Sequence, residues 1–259
     1  MPEFWAHSIC ANVTLQQLEQ SPVADIINRH TDSFLLGSQG SDLLYFRPLH
    51  LLRGRKGIVY LATRLHRQPL ERIAASALRM LDGIANEQQF EIAFAYVCGF
   101  ITHHAVDQRV HPLINGHTNR MLRHRRIELD FDTYLARQLD QMPAGRRAWS
   151  KIDGFDDFQV LHQWYNRLLT GLRKKPLKVS AFKRAYKNMK RASYLLNRPA
   201  RLGRPRHAVH PLLAEEELQT MLEQALLGSA DAACIIEELH CKLGDALPVP
   251  ALPAVTARL

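Results

Sequence analysis

A run near the middle of the chain places the strongest constraint on its structure. An apolar segment, Ala95–Ile101, leads into three potential metal ligands spaced four residues apart, His103, Asp107 and His111. Residues four apart lie on one face of an α-helix, about one turn from each other. The spacing therefore predicts a helix that directs an imidazole and a carboxylate into one space. Because the residue before a proline is disfavoured in the helical conformation, we expect Pro112 to end this helix at His111.

A second pair with the same spacing follows, His124 and Glu128. A single histidine on an apolar helix is more often an ordinary core residue, so one such pair would give little support to a metal site. Two pairs close together in the chain favour one, because imidazole and carboxylate are ligands that zinc and neighbouring divalent metals bind. The four cysteines include no Cys-x-x-Cys pair and fit reduced thiols better than a disulfide framework or a thiolate zinc site.

Composition narrows the class of protein and its location. With 46% hydrophobic and 23% charged residues, the chain is typical of a globular protein. No apolar run approaches the roughly 18 residues of a membrane span. Residues 1–7 lack the basic and apolar regions of a secretory signal. We therefore predict a cytoplasmic protein, and leave open a peripheral position at the inner face of the membrane.

The net charge of +9 is concentrated in one segment. Between Arg173 and Arg206 there are 13 Lys or Arg and no Asp or Glu, so the remainder carries 9 − 13 = −4. Three interpretations stay open: a solvated helix face with a linker, attraction to anionic lipid headgroups, or binding of nucleic-acid phosphates. The residues predicted to contact an anion or membrane are Lys183, Arg184, Lys187, Lys190 and Arg191.

Helical periodicity recurs along the chain and predicts an all-α fold. The predicted helices cover residues 6–20, 23–29, 70–80, 87–111, 119–128, 131–139, a stripe from 158 to 168, 181–192, and 212–243 with a break at 228–229. Residues 34–46 are predicted to form a buried loop that aims Asp42 inward, or a turn with Asp42 as the N-cap of a short helix. Other predicted connections are an exposed loop at 47–60, a turn at 113–118, a break at 143–145 and a basic linker at 197–211. We expect a metal-binding core in 1–145, C-terminal helices in 146–246 and a disordered tail in 247–259.

Five motifs occur in a fixed order. They are Met-Pro-x-Phe-Trp-x-His at the start, Gly-Ser-Gln-Gly-Ser-Asp-Leu-Leu-Tyr-Phe at 37–46, Arg-Leu-His-Arg at 64–67, Ala-Tyr-x-x-Gly-Phe-x-x-His-x-x-x-Asp-x-x-x-His-Pro-x-Ile at 95–114 and His-Arg-x-x-Glu at 124–128. Together they resemble the bacterial zinc-dependent phospholipase C family in its short form without a signal peptide. More distantly, the chain is similar to the secreted phospholipases C and the S1/P1 nucleases.

This resemblance implies a multi-helix bundle of the phospholipase C/P1 nuclease type that holds two or three zinc ions and hydrolyses phosphodiesters. It implies that Asp107 bridges two metals, and Asp42 is the candidate for orienting the attacking water. His66 is the implied ligand after Asp42, and His50 is its competitor. The implied metal ligands are His7, Asp42, His66, His103, Asp107, His111, His124 and Glu128.

Two features depart from the secreted enzymes. Those enzymes use the amine and carbonyl of an N-terminal Trp as zinc ligands, whereas Trp5 is internal here. The interval from Asp107 to His111 is also shorter than theirs. His104 should point away from His103 around the helix and belong to the core or to a supporting layer. The remaining histidines are predicted to be ordinary: His30, His117, His162, His207, His210 and His240.

The sequence thus predicts a zinc-dependent phosphodiester hydrolase of the phospholipase C type, with a phospholipid as the expected substrate. A nuclease or another phosphoesterase that acts on a small diester is the alternative among enzymes. The alternative from another class is a non-catalytic helical interaction protein that is stabilised by metal.

Overall fold

The structure is a computed structural model that describes residues 4–46, 58–139, 155–170, 176–196 and 212–244. All regular secondary structure in these ranges is helical, which confirms the predicted all-α class. No helix within them is long and apolar enough to cross a membrane. The helices are α1 (Phe4–Gln17), α2 (Pro22–Arg29), α3 (Thr31–Gly37), a 3₁₀ helix (Gly40–Phe46), α4 (Ile58–His66), α5 (Leu70–Leu81), α6 (Glu87–His117), α7 (Met121–Gln138), α8 (Phe158–Leu168), α9 (Val179–Leu196) and α10 (Glu215–Gly244).

Helix α6 lies at the centre of the bundle. Asn86 caps its N-terminus by accepting a hydrogen bond from the Gln89 amide at 2.9 Å. From residue 93 to 107 every side chain is buried, as expected for a helix enclosed on all sides. Helices α1, α3, α5 and α10 pack around it.

Two hydrophobic clusters meet along α6. The first surrounds its N-terminal half and contains Phe94, Phe100 and Trp164. The second surrounds its C-terminal half, where Val110 and Ile114 pack with α1, α7 and the first half of α10. The polar residues of α6 at 103, 107 and 111 fall where the two clusters meet.

A pair of glycines brings α3 onto α6. A Cβ at Gly37 would lie 2.1 Å from the Tyr96 carbonyl oxygen, and one at Gly99 would lie 2.0 Å from the Phe34 carbonyl oxygen. The two backbones therefore approach more closely than any side chain would permit. This contact fixes the start of the 3₁₀ helix relative to His103.

The predicted end of the central helix at His111 is wrong, because α6 continues through Pro112 to His117. Proline in a helix interior costs about 3 kcal/mol through its missing N–H and its clash with the preceding turn. Ile114 offsets this cost by burying its side chain in the second cluster. The turn predicted at 113–118 is wrong for the same reason, and only residues 118–120 connect α6 to α7.

The segment 34–46 is mostly buried and directs Asp42 inward as predicted, but its predicted loop conformation is wrong. Helix α3 extends to Gly37, and the 3₁₀ helix begins at Gly40, which has a φ of 50°. Asp42 lies inside the first turn of that helix rather than at its N-cap. Of the exposed loop predicted at 47–60, residues 58–60 belong to α4, and the rest lies outside the described residues.

Two predicted helix breaks are absent from the described chain. Helix α7 is continuous because Ile127, Phe131 and Leu135, at intervals of four, are all buried in the second cluster. Helix α10 runs unbroken through Gly228, where a Cβ would lie 2.8 Å from the Val106 Cα. That glycine permits close packing on α6 instead of ending a helix.

The other predicted helices are confirmed to within a few residues. Helix α1 starts at Phe4 and ends at Gln17, three residues before the predicted end, and α2, α5 and α8 match closely. On α9 the predicted apolar stripe is buried, and it consists of Phe182, Ala185, Tyr186 and Met189. The predictions for 143–145, 197–211 and 247–259 fall outside the described residues, and the division into a core and C-terminal helices stays a prediction.

Candidate metal centre

All eight residues implied as ligands by the sequence lie at the junction of the two clusters, although they come from five elements. Helix α6 contributes three of them, and α7 contributes two. Single residues come from α1, from the 3₁₀ helix and from the last position of α4. They are His7, Asp42, His66, His103, Asp107, His111, His124 and Glu128.

Asp107 lies at the middle of this set, and its two carboxylate oxygens face different histidines. Oδ1 is 3.2 Å from His111 Nε2 and 3.6 Å from His7 Nε2. Oδ2 is 3.2 Å from His66 Nε2 and 3.4 Å from His103 Nε2. A carboxylate with a separate histidine pair at each oxygen has the arrangement needed to bridge two metal ions.

Asp42 faces the same space from the opposite side. Its Oδ1 lies 3.0 Å from His66 Nε2, and its Oδ2 lies 3.8 Å from His7 Nε2 and 3.9 Å from His103 Nε2. Potential ligand atoms of His7, Asp42, His103 and Asp107 all fall within 4.8 Å of one another.

A second group stands beside the first. Its members are His111, His124 and Glu128, whose ligand atoms also lie within 4.8 Å of one another. His124 Nε2 is 3.0 Å from Glu128 Oε1, and the His111 and His124 rings are 5.5 Å apart between centroids. Because His111 contacts Asp107, the two groups form one continuous set of eight ligand residues, which we call the cluster.

Several polar atoms of the cluster are buried without a hydrogen-bond partner in the described chain. They include Asp42 Oδ2, Glu128 Oε2 and both ring nitrogens of His103. An unsatisfied buried polar group costs about 1–3 kcal/mol, and more when it is charged. Among them Asp42 Oδ2 and His103 Nε2 lie 3.9 Å apart, and carboxylate oxygens and imidazole nitrogens of this kind fit divalent cations such as zinc.

The protonation states of the cluster differ from one residue to the next. Burial lowers the pKa of His103 well below its usual value. Burial also opposes the charge on Asp107, but His111 and His103 outweigh it and hold the pKa of Asp107 well below its usual range. For His111 burial acts against the charged form, yet the Asp107 carboxylate raises its pKa to about 9. Metal binding, which needs neutral imidazoles, therefore competes with a proton more strongly at His111 than at His103.

Of the two candidates His66 and His50, His66 lies within the described structure, which brings it to the cluster. Its Nδ1 lies 2.9 Å from the Ala62 carbonyl oxygen and 2.9 Å from Ser41 Oγ. These contacts leave Nε2 facing Asp42 and Asp107, because a histidine is commonly oriented by a bond at its other ring nitrogen. His50 lies outside the described residues.

His104 occupies the position expected for it, away from the cluster. Its Nε2 lies 2.7 Å from the Gln68 carbonyl oxygen. Among the histidines predicted to be ordinary, His30 pairs with Glu91 at 3.0 Å, and His117 lies 3.5 Å from Glu217.

A hydroxyl pair that the sequence analysis missed supports the 3₁₀ helix. Tyr165 donates a hydrogen bond to the Gly40 carbonyl, and Tyr96 donates to the Tyr165 hydroxyl at 3.3 Å. A Cβ at Gly40 would lie 1.9 Å from His103 Cδ2, so this position needs glycine both for space and for its positive φ. Gly40 and Tyr96 both lie in motifs identified from the sequence, but no motif contained Tyr165.

The predicted basic residues lie on α9, which packs on the 3₁₀ helix. Asn188 donates a hydrogen bond to the Phe46 carbonyl at 2.8 Å across this contact. Lys190 is half-buried, with its ammonium 5.4 Å from the centre of the Tyr186 ring. The residues that are exposed are Lys183, Arg184, Lys187 and Arg191.

A helical bundle that gathers imidazoles and carboxylates around a central aspartate defines a class of helical proteins with a site that could hold metal. The chain matches the family model described as zinc dependent phospholipase C over residues 6–179. This match covers more than half of the 259 residues, and the chain therefore belongs to the zinc-dependent phospholipase C family. Searches of curated proteins and of solved structures each gave no match.

Proposed function

We propose that the protein hydrolyses phosphodiester bonds in phospholipids, in the manner of a phospholipase C, with two or three zinc ions held by the cluster. The observation that carries this proposal is Asp107, which presents one oxygen to His66 and His103 and the other to His111 and His7. That division supports at least two adjacent metal positions that share one carboxylate.

The donor atoms fall into sets of suitable size. Zinc usually takes three or four protein ligands of this type. The first set is Asp42, His66, His103 and Asp107, and the second is Asp107, His111, His124 and Glu128. His7 is a further donor beside the first set, because its ligand atom lies within 4.8 Å of those of Asp42, His103 and Asp107, and a third ion would have to share these donors.

Zinc in such a site lowers the pKa of a bound water toward ~7 and offsets charge on the phosphodiester. The chain supplies three carboxylates, Asp42, Asp107 and Glu128, that balance the charge of the cations. Asp42 Oδ2 is buried and makes no hydrogen bond within the described chain, so it is our candidate for orienting the attacking water.

Kinetics of Asp42→Asn test this role. We expect turnover to fall by about 10²–10⁴-fold, the usual range for a lost proton-handling group. The surface variant Asp25→Asn, on α2, serves as the control and should keep full turnover. Near-normal turnover of Asp42→Asn with an unchanged zinc content would exclude Asp42 as the residue that orients the attacking water.

The exposed basic face of α9 supports peripheral contact with an anionic membrane. It adjoins the 3₁₀ helix that carries Asp42, so docking through it would bring the cluster near lipid headgroups. Each Lys or Arg near an anionic surface contributes about 1 kcal/mol. A triple Gln variant of Lys183, Lys187 and Arg191 should therefore bind anionic vesicles roughly 10²-fold more weakly. Neutral vesicles and a triple Gln variant of Arg72, Arg79 and Lys242 are the controls.

The same basic face supports nuclease action as the second candidate. Nucleic-acid binding through phosphates weakens steeply with salt, whereas turnover of a lipid should rise when the substrate is presented on vesicles. Comparing hydrolysis of phospholipid vesicles, single-stranded nucleic acid and a small soluble diester therefore separates the candidates. A protein that loses its fold on chelation and hydrolyses none of these would instead be a metal-stabilised interaction protein.

A further inference from the structure

Two buried aspartates lie two residues apart on α7, and neither was assigned a role from the sequence. Asp130 and Asp132 are each 4% exposed. Asp132 lines a small cavity together with His7, Asp107 and Glu128. It also continues the spacing of the ligands on this helix, because His124, Glu128 and Asp132 follow one another at intervals of four.

The carboxylate of Asp132 is joined to the start of α1. Its Oδ1 accepts a hydrogen bond of 2.8 Å from the Ala6 amide, and this contact is buried. The first amides of a helix have no acceptor within the helix, and a negative charge is favoured beside them. The bond therefore fixes the first turn of α1 on α7, at the residue that immediately precedes His7.

His7 depends on that turn because the described chain offers its ring no other orienting bond. Its Nδ1 is buried without a hydrogen-bond partner among the described residues. Metal-binding histidines are usually oriented by a bond at the nitrogen that does not bind metal, as His66 is by the Ala62 carbonyl. The His7 ring packs against the His103 ring, 4.2 Å away between centroids, and the first turn of α1 sets the position from which the His7 side chain enters the cluster.

We propose that Asp132 is a positioning residue for His7, which it directs into the cluster by holding the Ala6 amide. The inference rests on the proposed metal site and adds to it a residue that acts through the backbone of another helix. In this inference the position of His7 in the cluster depends on the hydrogen bond between Ala6 and Asp132, which lie 126 positions apart in the chain.

Zinc affinity of the full chain, measured by competition with a chromophoric chelator after removal of bound metal, tests the inference. Loss of a residue that orients a metal ligand typically costs 10–100-fold in affinity, so Asp132→Ala should weaken one zinc position at least tenfold. Asp132→Asn should restore it, because the amide oxygen of Asn can accept the same bond from Ala6.

Asp130 provides a matched control. Its Oδ2 accepts a hydrogen bond of 2.8 Å from the Leu212 amide, and its Oδ1 accepts one of 3.1 Å from Arg126, so Asp130→Ala removes a backbone amide bond and an ion pair elsewhere on the same helix. This variant should unfold at a lower temperature and keep the zinc affinity of the wild type. Equal losses of zinc affinity in Asp130→Ala and Asp132→Ala would reduce Asp132 to a general stabilising residue and overturn the inference.

A double-mutant cycle shows whether Asp132 acts through His7. In a His7→Ala background, Asp132→Ala should cause no further loss of zinc affinity. A further loss, or failure of Asp132→Asn to restore binding, would overturn the positioning role. Zinc binding by Asp132→Ala equal to that of the wild type would remove this inference alone, whereas absence of zinc binding by the wild type would remove the proposed function as well.

Discussion

The close contact between α3 and α6 supports a quantitative prediction for Gly99→Ala. The added Cβ would lie 2.0 Å from the Phe34 carbonyl oxygen and 2.7 Å from the Ser38 amide nitrogen. Ordinary van der Waals contact begins at 3.4 Å, so α3 would have to move by up to about 1.4 Å. Overpacking of this kind costs about 1–3 kcal/mol, and we expect the upper end because the contacted atoms belong to the backbone.

Thermal unfolding provides the assay. In a chain of this size, a loss of about 3 kcal/mol lowers the Tm by roughly 6–12 °C. Gly116→Ala, on the same helix, is the matched control, because its Cβ would meet no atom within 4 Å. That variant should raise stability by about 0.5–1 kcal/mol, since alanine favours the helix over glycine.

The same movement should reach the site, because α3 is followed directly by the 3₁₀ helix that carries Asp42. Asp42 Oδ1 lies 3.0 Å from His66 Nε2, and misplacement of a catalytic group by 1 Å can cost about 10²-fold in rate. Folded Gly99→Ala should therefore hydrolyse a phosphodiester at least tenfold more slowly than Gly116→Ala. Equal Tm and equal turnover of the two variants would refute this account of the helix contact.

Three further predictions concern protons, hydrogen bonds and metal. In the metal-free protein the pKa of His111 is raised from 6.5 to about 9, so its protonation stabilises the fold fully below pH 6.5 and progressively less up to pH 9. The Tm of the chelated protein should therefore fall across that range, and an unchanged Tm would contradict this prediction. Tyr165→Phe leaves the Gly40 carbonyl without its donor and should cost about 1–3 kcal/mol in a denaturant titration, whereas Tyr134→Phe, which loses an exposed bond, should cost less than about 0.5 kcal/mol. Removing zinc with a chelator should lower the Tm, and restoring zinc should reverse the change, because ligands that bind only the folded state stabilise it.

The parts of the site that are local in sequence could be predicted from spacing alone. His103 and Asp107, like His124 and Glu128, are four residues apart on one helix, and such neighbours share a face whatever the surrounding fold. His7, Asp42 and His66 were assigned through their motifs. Their meeting with α6 depends on the packing of three other elements, which no local pattern specifies.

The errors have a common physical origin in tertiary packing. Local propensity predicts helix breaks at Pro112 and Gly228, but burial of Ile114 and close packing on Val106 keep both helices continuous. The contact of Asp132 with α1 could not be predicted for the same reason, because it joins segments that are distant in the sequence. Propensity describes a chain segment in isolation, and tertiary contacts worth a few kcal/mol override it.

Zinc content of the protein purified without chelator tests the central claim most directly. Elemental analysis should find two or three zinc ions per wild-type chain and loss of this zinc in His103→Ala/Asp107→Ala, because Asp107 joins both ligand sets. Circular dichroism of the double variant would establish that it still folds. A wild type that contains no zinc, or a folded double variant that keeps all of it, would contradict the metal cluster and the function proposed from it.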